Sequence, residues 1–159
     1  MELKTRRVHF AGCTTTPNEA WMKQAARELT NFEDGFLIGK RYLITDRDTK
    51  FCESFREILA SEDIKPVLLP PRSPNLNSYL ERFFGSLKSE ALDRLILFGE
   101  KAMTNAVQEF LAHFHAERNH QGLENTIIDP GKEVGAAEGE VQSQSRLGGL
   151  LNYYYRAAA

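Results

Sequence analysis

Hydrophobic and polar positions follow two periods along the chain, and together they predict a succession of strands and helices. Short apolar runs predict strands over residues 8–11, 41–46 and 65–69, and residues 3–7 resemble a strand end with a basic turn. Apolar residues three or four positions apart predict helices over residues 17–29, 50–61, 75–94 and 101–118. Thr16 is the predicted N-cap of the first helix, because Pro17 suits the first helical position and Glu19 completes a capping box.

The order of these elements predicts an α/β fold with a mixed sheet flanked by helices. The two predicted N-terminal strands are short and resemble the second half of a longer hairpin. Beyond Pro130 the sequence contains Gly and Ser, shows little periodicity and ends in Tyr153-Tyr154-Tyr155-Arg156. We therefore predict a folded part over residues 1–130 and a loosely held extension over residues 131–159.

Composition narrows the class of protein. With 42% hydrophobic residues and ten Phe in 159 residues, the chain can fill one core. No apolar run approaches the roughly 20 residues of a membrane span, so we expect no membrane partner. Cys13 and Cys52 are isolated, which favours free thiols and a cytoplasmic location. The net charge of -2 gives no overall attraction to nucleic acid, but a local basic patch can still bind it.

Two acidic residues stand where metal-dependent chemistry is usually found. Asp46 ends a predicted strand, the edge at which open α/β sheets bind ligands. Glu81 follows 35 positions later, in the helix after a proline-rich loop. Carboxylate oxygens are the ligands that Mg²⁺ and Mn²⁺ prefer, and two such ions can activate an attacking oxygen and stabilise a leaving one. A strand-end Asp alone is more often part of a turn, so the surrounding motif decides its interpretation.

That motif resembles a known family. Residues 45–51 (TDRDTKF), residues 73–88 (SPNLNSYLERFFGSLK) and the later stretch 113–123 (HFHAERNHQGL) are similar to the integrase core (DDE-type) of bacterial insertion-sequence transposases and retroviral integrases. The resemblance covers residues 1–130. It implies a ribonuclease-H-like fold, DNA as partner, a nucleoid-associated protein, Mg²⁺ or Mn²⁺ as cofactor, and a homo-oligomer or an intact transposase as a further partner.

The resemblance also implies roles for single residues. Asp46 matches the second catalytic, metal-binding acid of the family and Glu81 the third. Lys88 matches a basic position that contacts DNA, seven residues after Glu81 on the same helical face. Asp48 falls where relatives often have Gly, so it receives no metal role. Further residues are candidates for DNA contact or for a phosphate-facing patch: Arg47, Lys50, Arg72, Arg82, Arg118 and His120.

The first acid of the family has no counterpart here. It lies on the first strand, ahead of the segment that residues 1–7 resemble. Asp34 lies in a Gly-flanked loop, and Glu2 falls in the segment that resembles the second strand of the family. The sequence therefore predicts an N-terminally truncated, catalytically impaired fragment that lacks the first strand and the upstream DNA-binding segment. The alternative is a non-catalytic remnant that binds DNA or an intact transposase. A glycosyltransferase with Asp46 and Asp48 as its DxD motif would need a larger nucleotide-binding domain upstream.

Overall fold

The computed structural model describes residues 1–71 and 74–157. Arg72 of the candidate patch and Ser73 of the motif lie outside the described residues. The chain divides into two compact units. The internal unit comprises Ala11–Ser78, and the terminal unit comprises Met1–Phe10 with Tyr79–Ala159. The predicted boundary after residue 130 stays a prediction.

The internal unit is built around a strand–helix–strand element. β1 (Tyr42–Thr45) and β2 (Lys65–Leu68) pair in parallel, and α2 (Glu53–Ser61) makes the crossover that parallel strands require. α1 (Glu19–Leu29) packs on α2. The core joins these elements through six buried residues: Met22, Ala26, Leu37, Phe55, Leu59 and Ile64.

The first helix begins two residues later than predicted. Asn18 is the N-cap, because its side-chain oxygen accepts a hydrogen bond from Trp21 N at 2.9 Å. Thr16 and Pro17 therefore lie outside the helix. The capping box predicted from Thr16 and Glu19 was wrong, although the helix itself was predicted correctly.

The terminal unit consists of two helices and a hairpin. α3 (Ser78–Glu90) follows a 3-10 turn at Pro74–Asn77, and α4 is Gly99–Ala116. β3 (Val141–Arg146) and β4 (Leu151–Arg156) pair antiparallel. Eight residues form the buried core: Phe83, Leu87, Ala91, Val107, Phe110, Leu111, Phe114 and Leu151.

Two expectations for this unit need correction. The helix predicted over residues 75–94 ends at Glu90, because the buried Ala91 adopts non-helical angles (φ −128°, ψ −68°) before a 3-10 turn at Leu92–Arg94. Residues 141–156 form a hairpin whose Leu151 lies in the core, so this stretch is not loosely held.

The predicted N-terminal strands do not form in residues 1–14, all of which the structure describes. Glu2 N donates to Arg7 O, and Arg6 N donates to Glu2 O, which closes a turn with Arg6 at φ +62°. Val8 N then donates to His115 Nε2 at 3.0 Å instead of to a neighbouring strand. The backbone N–H groups that the predicted strands would need are therefore bonded within a local turn and to the His115 side chain.

An α/β architecture with helices and small sheets is confirmed. The described residues form two separate two-stranded sheets, one parallel and one antiparallel, and not a single mixed sheet. None of the helices in the described part of the chain has the length and hydropathy needed to cross a membrane.

Candidate active site

Asp46 directly follows β1 and is exposed. Its Oδ1 accepts a hydrogen bond from Asp48 N at 3.1 Å. Asp48 makes the same kind of turn bond, because its Oδ1 accepts a hydrogen bond from Lys50 N at 2.9 Å. Its Oδ2 also forms an ion pair with Lys50 Nζ at 2.7 Å. Bonds from a carboxylate to the backbone two residues on are typical of Asp in turns. The bonds from Lys50 lower the pKa of Asp48, which keeps that carboxylate charged.

The backbone around Asp46 is fixed by both strands. Leu69 N donates to Thr45 O at 2.9 Å, which continues the parallel ladder past β2. Arg47 Nε donates to Leu69 O at 3.0 Å. The turn that carries Asp46 is therefore attached to the end of β2, and the carboxylate stands at the carboxyl edge of the sheet. This is the position predicted from the sequence.

Glu81 lies in the first turn of α3 and is exposed. Phe83 and Leu87 hold the opposite side of the helix in the core. At about 100° per residue, Lys88 lies within about 20° of Glu81 around the helix axis, whereas Phe83 and Leu87 lie about 200–240° away. Glu81 and Lys88 therefore share an exposed face, as the spacing predicted. Arg82 is the next residue along and is also exposed.

Arg118 is engaged in an ion pair. Its Nη1 donates to both carboxylate oxygens of Glu90, at 2.9 and 2.7 Å. The pair joins the end of α3 to the segment after α4, and both side chains are about one-third exposed (31% and 34%). Glu90 is therefore part of a half-buried ion pair. The role of Arg118 in DNA contact stays a prediction.

His120 is built into a turn. Its Nε2 donates to Phe114 O at 2.7 Å, and its ring packs edge-on against the Phe114 ring with centroids 4.5 Å apart. Its backbone N donates to Thr126 O. Burial lowers the pKa of His120, and the charge of Arg118 adds to this, while the bond to the Phe114 carbonyl opposes it. A neutral, half-buried ring gives a phosphate little charge to bind, so a structural role has the stronger support.

The sequence pattern did not single out Glu117, which is the acid of the 113–123 stretch and is buried. Its Oε1 accepts from Arg146 Nε at 2.8 Å and from Nη2 at 2.6 Å, and its Oε2 contacts His113 Nδ1 at 2.9 Å. Burial favours the neutral acid, but these bonds outweigh it and lower the pKa of Glu117. The spacing of four between His113 and Glu117 on a predicted helix was a usable signal.

The acids proposed for catalysis belong to different units. Asp46 lies in the internal unit, and the terminal unit contains Glu81 with the four candidate DNA-contact residues: Arg82, Lys88, Arg118 and His120. Carboxylate oxygens suit Mg²⁺ chemically. Within residues 1–71 and 74–157, however, no group of three or more His, Cys, Asp or Glu side chains could hold a metal ion. The described residues therefore do not fit a complete two-metal centre.

One comparison with known proteins finds a family that part of the chain resembles. Residues 62–126 match the family described as "Integrase core domain". This segment runs from the end of α2 through α3 and α4 and includes Glu81, Arg82, Lys88, Arg118 and His120. Asp46 lies 16 residues before it (62 − 46). No curated protein and no solved structure matches the chain. The resemblance predicted from the sequence is thereby confirmed for residues 62–126, which are similar to the integrase core domain.

Proposed function

We propose that this chain is the core part of a DNA transposase or integrase, acting in DNA transposition or integration. The observation that carries this proposal is the integrase core match over residues 62–126, which encloses Glu81 on an exposed helical face. The strand-end position of Asp46, outside the matched segment, supports its assignment as a second acid.

Asp46 and Glu81 are the proposed catalytic acids, and both are proposed ligands of Mg²⁺ or Mn²⁺. A bound divalent ion would supply Lewis-acid activation of the attacking and leaving oxygens. The chain's own contribution is positional. The turn bonded to β2 holds the Asp46 carboxylate, and the buried side of α3 holds that of Glu81 toward solvent.

Basic residues on α3 account for the proposed DNA contact. Lys88 shares the face of Glu81, and Arg82 lies beside it. Positive side chains next to a catalytic carboxylate can fix a phosphodiester through charge alone, with an affinity that falls as salt rises. Arg118 and His120 would act mainly by supporting the segment after α4, since both already have protein partners.

We further propose a ribonuclease-H-like arrangement, in which β1 and β2 are two parallel strands of the sheet. In this proposal Asp46 and Glu81 are two of the three acids that such a site needs. A strand with the remaining Asp would have to pair with β1, so the 159-residue chain by itself would be catalytically impaired.

A second candidate is a non-catalytic function, in which the chain binds DNA or an intact transposase. The observation that favours it is the lack of any three-residue metal-binding group within residues 1–71 and 74–157. A glycosyltransferase has less support, because the integrase core match over residues 62–126 favours DNA as the substrate.

The two candidates differ in a strand-transfer assay with Mg²⁺ or Mn²⁺. The 159-residue chain should bind duplex DNA weakly and show no end processing. A chain extended by a strand that carries the missing Asp should gain activity, and Glu81→Gln in that protein should abolish it. If the extended chain folds and binds DNA but stays inactive, the non-catalytic function is favoured.

A further inference from the structure

The terminal unit contains a cavity of about 360 Å³ beside the C-terminal hairpin. One wall is β4, with Tyr153, Tyr155 and Arg156, and the other comes from Asn119 and the segment around Glu133. None of these residues has a part in the proposed catalytic site. The cavity is therefore separate from that site.

Aromatic rings are the main feature of the cavity wall. Tyr153 and Tyr155 are two positions apart on β4 and so point to the same side of the hairpin. Their rings are stacked, with centroids 5.5 Å apart and planes 17° from parallel. The Tyr155 hydroxyl donates to Gln142 Oε1 on β3 at 3.1 Å, which fixes the ring. The pair presents a rigid π surface that a third planar ring can extend.

Polar groups complete the lining. Asn119 offers an amide, Glu133 a carboxylate, and Arg156 a guanidinium that is held by its bond to Gly139 O at 2.9 Å. Burial raises the pKa of Tyr153, and the Glu133 carboxylate adds to this, so the ring stays neutral. The Glu133 carboxylate opposes the attraction of the Arg156 guanidinium for a phosphate, and the amide and carboxylate can bond the edge of a heterocycle.

We propose that this cavity binds one unpaired DNA base, stacked on the Tyr153–Tyr155 pair. The proposal rests on the proposed function, since it names the form of DNA that the chain would engage. Stacking of a base on an aromatic side chain tolerates any base identity and is strong enough to change affinity. The phosphates of the strand would remain outside, in solvent.

Three DNA probes test the proposal on the full chain. The first is a blunt duplex, the second carries a short 3′ overhang containing 2-aminopurine, and the third carries an abasic overhang of the same length. We expect the overhang to bind at least about fivefold more tightly than the other two, with quenched 2-aminopurine fluorescence. Tyr153→Leu should remove this preference, and Tyr153→Phe should retain it. Phe32→Leu changes a 94% exposed aromatic residue that does not line the cavity and should have no effect.

Each outcome decides between the proposals. Equal affinity for the overhang and the abasic overhang, with blunt-end binding retained, would overturn the cavity proposal alone. Quenching that persists at full strength in a folded Tyr153→Leu variant would do the same. Binding to none of the three probes would overturn both this site and the proposed function.

Discussion

Glu117 accepts two hydrogen bonds from Arg146 on a single oxygen, at 2.8 and 2.6 Å, and so joins the end of α4 to the C-terminal hairpin. The side chain of Glu117 is 4% exposed and that of Arg146 is 17% exposed. Glu117 lies within the 113–123 stretch that the family resemblance singled out, and Arg146 lies outside it. The hairpin is therefore an integral part of the terminal unit.

Removing Arg146 should destabilise this unit. Arg146→Met leaves the Glu117 carboxylate buried with only His113 as partner, and we expect a loss of about 2 kcal/mol in the free energy of unfolding. Glu109→Gln is the matched control, because Glu109 is 49% exposed and only its 3.1 Å contact with Arg146 is lost. Urea denaturation measures both. Equal effects of the two variants would argue against a structural role for the buried pair.

The stability of the unit should also fall in mild acid. Val8 N donates to His115 Nε2, so the ring must stay neutral. Burial lowers the pKa of His115 from 6.5; Asp129 opposes this, and the charges of Arg7 and His120 add to it. The unfolded chain therefore takes up this proton at a higher pH than the folded chain. Stability should be fully present above about pH 6.5 and decline as the pH falls from there toward the folded pKa.

His115→Gln separates this residue from other titrating groups. The amide oxygen of Gln can accept from Val8 N in place of Nε2, but it does not titrate. The decline in melting temperature between pH 7 and 5 should therefore become shallower, with a remainder from His120, whose pKa is also lowered. An unchanged pH profile in this variant would show that His115 does not contribute.

The exposed face of the parallel sheet should mediate self-association. Tyr42, Ile44 and Val67 lie on one side of β1 and β2 and are 63%, 40% and 37% exposed. Parallel sheets are usually covered on both faces, and a two-stranded sheet is marginal alone. We expect concentration-dependent association in sedimentation velocity, weakened by Ile44→Lys. Phe32→Lys, at a 94% exposed position, should leave it unchanged. A monomer at every concentration would contradict this expectation.

Phe110 should be the most costly truncation in the terminal unit. It is fully buried and contacts the ring of Phe83, with centroids 5.9 Å apart. Phe110→Ala should lower the free energy of unfolding by about 3–5 kcal/mol. Phe98→Ala, at an 83% exposed position, should change it by less than about 0.5 kcal/mol. Similar losses in both variants would mean that the core lies elsewhere.

Local sequence patterns predicted most helices and strands but not how their ends are bonded. The apolar run before Asp46 and the spacing from Glu81 to Lys88 follow from the periods of strands and helices, so both were predictable. The cap at Asn18 was missed because Thr16, Pro17 and Glu19 form an equally good local signal. Which of two nearby residues caps a helix depends on tertiary packing. Local sequence patterns carry no information on that packing.

Long-range bonds explain the larger misses. Val8 was expected in a strand, but its N–H is taken by His115, 107 positions away in sequence. The hairpin was missed because residues 141–145 are all exposed and mostly polar, so they give no apolar alternation. The β-forming Tyr153–Tyr155 run after Gly148-Gly149 was the available signal. Its anchoring through Arg146 and Glu117 could not be read from spacing.

The assignment of Asp46 and Glu81 is tested by metal-dependent strand transfer, measured on the chain extended by a strand that carries the proposed third acid. We expect activity with Mg²⁺ or Mn²⁺ that falls below detection in both Asp46→Asn and Glu81→Gln, while each variant still binds DNA. Asp93→Asn, an exposed acid just after α3, should retain full activity. Strand transfer that survives either Asp46→Asn or Glu81→Gln would contradict the assignment of these two residues as the catalytic acids.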